Sequence, residues 1–155
     1  MKERKLSFLI YDNRSGSTFL SALIDSFEDI GVSIESKILQ PLLTGKETYR
    51  TESEIDHILE IIYRDPQFVD WGIPGQSLKR RLVRHLPLGK KDIIYVILET
   101  YFNRVKPNSK CWVYKNSNPY ILRRIRRIIP DAKIIYIYRD GRAVFSSKKR
   151  SNDKR

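Results

Sequence analysis

The apolar run Leu6-Ser7-Phe8-Leu9-Ile10-Tyr11 breaks off into Asp12-Asn13-Arg14-Ser15-Gly16-Ser17-Thr18, and an apolar-periodic segment follows at once. That order reads as a buried strand, a tight polar turn and a helix. A helix that opens in such a turn aims unpaired backbone N–H groups and a positive dipole end into one small space. The space suits a phosphate or a sulfate. Gly16 lets the backbone come close, Ser15, Ser17 and Thr18 add hydroxyl donors, and Arg14 adds a forked, permanently charged donor set.

The rest of the chain alternates in the same way. Apolar residues at 19, 20, 23, 24 and 27 predict a helix over 17–30 that ends at Gly31, and Val32–Glu35 reads as a second short strand. Residues 40–50 read as loop. Helices are expected from Thr51–Glu54 to about residue 63, over 77–86 and over 91–104, with 66–76 as loop. Cys111–Tyr114 reads as a strand. Asn118-Pro119 has the form of an N-cap and first helical residue, opening a helix to about Ile129. Ile134–Tyr138 is the most apolar strand and the expected sheet centre, and a last helix starts near residue 142. The pattern predicts a three-layer α/β fold in one domain over 1–155, with a mainly parallel central sheet flanked by helices.

Charge is spread unevenly. Residues 1–75 hold 8 Lys/Arg against 13 Asp/Glu, whereas residues 76–155 hold 22 against 5. A basic half of that strength implies an anionic partner. No apolar run has the length of a membrane span. The single cysteine, Cys111, excludes an internal disulfide and any multi-cysteine metal site, so a reducing, cytoplasmic setting is the simpler expectation.

A phosphate-loop NTPase would carry Gly-x-x-x-x-Gly-Lys-Ser/Thr, and this chain does not. Its second informative segment is Tyr138-Arg139-Asp140-Gly141-Arg142-Ala143-Val144-Phe145-Ser146-Ser147, where the most apolar strand ends and a helix begins. Strand ends of an open α/β sheet are where ligands bind. Arg139 and Ser147, about two turns apart, can reach one anionic group there; the alternative is a helix capped by Asp140 among scattered surface arginines.

Taken together, Arg14-Ser15-Gly16-Ser17-Thr18 and Arg139-Asp140-Gly141-Arg142-Ala143-Val144 with Ser147 resemble the two donor-binding motifs of the sulfotransferase family. These enzymes take sulfate from 3′-phosphoadenosine-5′-phosphosulfate (PAPS). Trp112–Pro119 and Ile128–Tyr136 are similar to the family's segments between those motifs, with Lys115 at the end of the intervening strand. The likeness covers 6–35 and 111–148. Residues 40–105 show none, which fits a variable, helical acceptor-side region. The family usually continues well past the second motif, so the resemblance also implies a domain lacking its C-terminal part.

The resemblance implies that Arg14, Ser15, Gly16, Ser17 and Thr18 bind the 5′-phosphosulfate and that Arg139 and Ser147 bind the 3′-phosphate, without a metal. It implies a hydroxyl or amine acceptor, a small molecule or a carbohydrate. Glu35 is the first choice for a general base, since parallel pairing of the second strand would bring it beside the Arg14 turn; the alternative is a surface or capping carboxylate. Lys115 is a candidate for orienting donor or acceptor. His57 and His85 match no motif. Two other readings compete: a nucleotide kinase of phosphate-loop architecture, and a non-enzymatic binder of polyanions or nucleic acid using Arg123–Arg127 and Lys148–Arg150. Against the second, the aromatic residues fall mostly in apolar runs and form no stacking platform, so no nucleic-acid partner is expected.

Overall fold

The computed structural model describes residues 4–152. Its main sheet has four strands: β1 (Lys5–Tyr11), β2 (Ile30–Val32), β5 (Cys111–Asn116) and β6 (Lys133–Ile137). They lie in the order β2-β5-β1-β6 and every pairing is parallel. Leu6, Phe8 and Ile10 of β1 enter the larger core on one face of the sheet, whereas Leu9 and Tyr11 enter a smaller one on the other. A strand buried on both faces reads as a continuous apolar run, as 6–11 does.

The helix α1 (Ser17–Asp25) covers the smaller core with Leu20 and Ile24. The helix α7 (Leu122–Ile128), entered through a 3-10 turn at Pro119–Ile121, places Ile125 in the larger core. The chain therefore leaves β1 towards β2 over one face and returns from β5 to β6 over the other. The exit of β1 is thus a switch point, the crevice where open α/β sheets bind ligands.

Between β2 and β5 come α2 (Leu39–Thr44), β3 (Thr48–Tyr49), α3 (Glu52–Ile62), α4 (Pro66–Val69), α5 (Gly75–Arg84), β4 (Leu88–Gly89) and α6 (Lys90–Val105). β3 and β4 form a small antiparallel ribbon. Thr51 and Glu54 close a reciprocal capping box at the start of α3, which fixes that boundary. The helix α8 (Gly141–Asn152) follows β6. No helix among the described residues is long and apolar enough to cross a membrane.

Several sequence expectations need correction. Residues 40–50 are not loop but contain α2 and β3; Leu39, Leu42 and Leu43 are buried, a spacing too short to stand out as a period. Asp65-Pro66 ends one helix and also starts α4, with the Asp65 carboxylate accepting from Gln67 N at 3.2 Å. The second strand lies earlier than expected, at Ile30–Val32, and Gly31 is inside it. α1 stops at Asp25, short of the expected residue 30, and buries a narrower stripe than its pattern implies: Phe19 is 76% and Leu23 50% exposed, and Phe27, beyond its end, is 58% exposed. β6 is not the sheet centre but the edge of the described sheet, and β1 and β5 are central. Apolar content says how much a strand can bury, not how many neighbours it pairs with.

Gly31 is set by crowding. A Cβ there would lie 2.7 Å from the ring of Phe102, which stacks on Trp112 at 5.3 Å between centroids. Both rings are buried and have no room to turn. Gly31→Ala is expected to lower stability by about 1–3 kcal/mol, the usual cost of overpacking, measured by urea denaturation.

Candidate functional site

The turn after β1 is built from two residues in the left-handed region, Arg14 at φ 70° and Gly16 at φ 93°. Ser15 N–H donates to Asp12 C=O at 3.2 Å and closes the turn. Nothing lies within 4 Å of where a Gly16 Cβ would sit, so glycine is required by conformation and leaves open space above the loop. No side chain caps α1, and no acidic residue occupies its first turn. The positive end of the helix is therefore available to an external anion.

Neighbouring strands deliver the second group of residues. β6 pairs with β1, so the chain leaving β6 arrives beside the Arg14 turn. Asp140 does cap α8, accepting from Arg142 N at 2.8 Å and from Ala143 N at 3.4 Å. Its hydrogen bonds to the Arg142 side chain and to these N–H groups hold its carboxyl below the usual range. The capping reading thus holds for Asp140, while Arg139 and Ser147 face the turn. Arg139 Nη1 donates to Arg14 C=O at 3.4 Å. Arg14 donates to Ser147 Oγ from Nε at 3.1 Å and to Ser147 C=O from Nη2 at 3.2 Å.

Glu35 reaches the same place by a route different from the expected one. β2 pairs with β5 and not with β1, and Glu35 lies three residues beyond its last residue. Ser33 Oγ accepts from Lys115 N at 3.1 Å and ties the segment to the β5 exit. From there Glu35 Oε2 accepts from the Tyr11 hydroxyl at 2.5 Å.

Tyr11, Asn13, Arg14, Gly16, Ser17, Thr18, Glu35, Lys115, Arg139 and Ser147 line one cleft of about 410 Å³. Of the candidates read from the sequence, Ser15 alone is not in this lining; its Oγ is enclosed and unpaired among the described residues. Sequence reasoning missed Tyr11, which counted as one more apolar residue of β1. It is 3% exposed, and burial followed by the hydrogen bond to Glu35 pushes its pKa well above the ordinary phenol value. The Lys115 ammonium lies 5.3 Å from its ring centroid. A shallow groove between α1 and β2 adjoins the cleft and shares Thr18, Glu35 and Lys115 with it.

A larger cavity, about 730 Å³, lies elsewhere, with Ile38, Pro41, Ile61, Ile62 and Ile121 in its wall. It shares no residue with the cleft. The smaller cleft, not the larger cavity, gathers three cationic side chains, a carboxylate and the open helix start.

No curated protein matches the chain. The model of the sulfotransferase family matches it over residues 9–155, a span that contains the β1 turn, β5, β6 and α8. With that match over nearly its whole length, the chain belongs to the sulfotransferase family.

Proposed function

We propose that the cleft binds PAPS and transfers its sulfuryl group to an acceptor hydroxyl or amine. The observation that carries this reading is the gathering of Arg14, Gly16–Thr18, Glu35, Lys115, Arg139 and Ser147 around one cleft. Arg14 and the first-turn N–H groups of α1 hold the 5′-phosphosulfate. Arg139 and Ser147 hold the 3′-phosphate. The cleft volume falls within the range of nucleotide-sized ligand sites. Arg14 and Ser147, assigned to opposite ends of the donor, bond to each other in this structure. Donor binding exchanges contacts from the guanidinium to neutral oxygens for ion-paired hydrogen bonds to the anionic oxygens of the nucleotide.

The reaction follows the logic of phosphoryl transfer: in-line alignment and stabilisation of charge, with no protein nucleophile. The acceptor oxygen forms the new bond to sulfur and gives its proton to Glu35. The bond from sulfur to the bridging oxygen breaks, and Arg14 and Lys115 stabilise the charge that stays with the nucleotide. The acceptor's reactive end enters through the groove at Thr18, Glu35 and Lys115. Carbohydrate is among the acceptor classes that the family resemblance implies.

The test is calorimetric titration with 3′-phosphoadenosine-5′-phosphate, the product nucleotide, and with adenosine 5′-monophosphate, which lacks the 3′-phosphate. Wild type should prefer the former by at least tenfold. Arg139→Ala should weaken that nucleotide by about 2–3 kcal/mol and leave adenosine 5′-monophosphate nearly unaffected, because only the 3′-phosphate contact is lost. Binding should not respond to magnesium or EDTA, whereas a nucleotide kinase would respond. Equal affinity for both nucleotides in wild type would remove the assignment.

A further inference from the structure

Tyr11 occupies a place that no motif assigns. Its hydroxyl bonds to Glu35 Oε2 at 2.5 Å, and its ring lies under the Lys115 ammonium at 5.3 Å. These partners come from two separate parts of the chain: the segment after β2, and β5. Tyr11 itself is fixed, being the last residue of a central strand and packed with Leu9 and Val113 in the smaller core. It is therefore the rigid member of the group, and the long Glu35 and Lys115 side chains are the ones it orders.

On the reading of the cleft given above, we propose that Tyr11 is the positioning residue for both charged groups at the reacting end, holding Glu35 through its hydroxyl and Lys115 through its ring. Occupation of Oε2 by the phenol leaves Oε1 as the oxygen that receives the acceptor proton. The ring face attracts the ammonium by its quadrupole and aims Lys115 into the cleft. The phenol keeps its proton throughout the neutral range, so the contact to Glu35 always runs from Tyr11 as donor. The other charged groups lining this part of the molecule are Arg14 after β1, Arg139 after β6 and Asp25 of α1 in the adjoining groove.

The two contacts can be removed in steps. Tyr11→Phe keeps the ring and deletes the hydroxyl, whereas Tyr11→Leu deletes both and keeps an apolar side chain in the core. The assay is sulfate release from PAPS with water as acceptor, which needs no knowledge of the natural one. Tyr11→Phe should lower kcat about tenfold and leave the KM for PAPS within about twofold, the pattern of a loss felt only in the transition state. Tyr11→Leu should lower kcat further, towards a hundredfold, because Lys115 is released as well. In the intact protein, the 13C signal of the Tyr11 phenol carbon should show no ionisation up to the alkaline limit of folding. Glu35→Ala should bring that ionisation to lower pH, since the carboxylate is among the groups that raise it. An unchanged kcat in Tyr11→Phe, an effect on KM alone, or a Tyr11 titration indifferent to Glu35→Ala would each overturn this proposal and leave the reading of the cleft standing. A wild type that binds no product nucleotide and releases no sulfate would overturn the reading of the cleft, and this proposal with it.

Discussion

Arg14→Ala is expected to lower sulfuryl transfer by about a thousandfold and to weaken binding of 3′-phosphoadenosine-5′-phosphate by about 2–3 kcal/mol. The side chain stands at the mouth of the open α1 helix, where the proposed reaction puts the leaving oxygen, and the loop supplies no second arginine. The rate loss should exceed the binding loss, because charge at that oxygen is greater in the transition state than in the bound donor. Arg14 also carries a cost. It is the one non-glycine residue at positive φ among the described residues, a conformation that costs an ordinary side chain about 1–2 kcal/mol. Strain of this kind clusters at ligand sites, in keeping with the role proposed for Arg14. Arg14→Gly separates the two effects. It removes the guanidinium and relieves the backbone, so its stability in urea should match or exceed that of Arg14→Ala while its activity is equally low. Wild-type turnover in either variant would show that the loop backbone alone carries the anion.

How much of this could be read in advance depended on range. The β1 turn was legible because everything it needs is contiguous: an apolar run, a glycine at positive φ, and hydroxyls followed by a helical period. The α3 boundary was legible for the same reason, through Thr51 and Glu54. The meeting of Arg14 with Arg139 and Ser147 is a contact between segments more than a hundred residues apart, and it was reached through the resemblance of paired motifs and not through local pattern. Strand order was not legible. Placing Ile134–Tyr138 at the centre rested on its apolar content, and the pairing partners that decide the matter leave no mark in the strand itself. Parallel pairing of the second strand directly beside β1 would bring Glu35 to the turn; instead β5 lies between them, and the carboxylate reaches the cleft because Ser33 and Lys115 hold its segment to β5. Tyr11 carries no signal in the sequence, because a tyrosine at the end of an apolar run is indistinguishable from a core residue until its hydroxyl has a partner.

Glu35→Gln offers the sharpest separation of chemistry from architecture. The amide is nearly isosteric, and its oxygen still accepts from the Tyr11 hydroxyl, so the fold and the cleft should persist. What disappears is the ability to take a proton. For an alkyl alcohol acceptor, whose oxygen must lose a proton as it attacks sulfur, kcat should fall by about 10²–10⁴, the usual contribution of a positioned base. For a phenol already ionised at the assay pH, no proton has to be removed and the loss should be under about tenfold on the same reasoning. Donor binding should move in the opposite direction. Among the described residues, Glu35 is the one carboxylate in a cleft lined by Arg14, Lys115 and Arg139. Its removal relieves repulsion of the polyanionic nucleotide, so 3′-phosphoadenosine-5′-phosphate should bind a few-fold tighter, consistent with about 1 kcal/mol between like charges in a partly solvated site. A surface or capping carboxylate would give neither result. Equal rate losses with both acceptors, or weaker nucleotide binding, would place the role of Glu35 in holding the cleft together and not in accepting the proton.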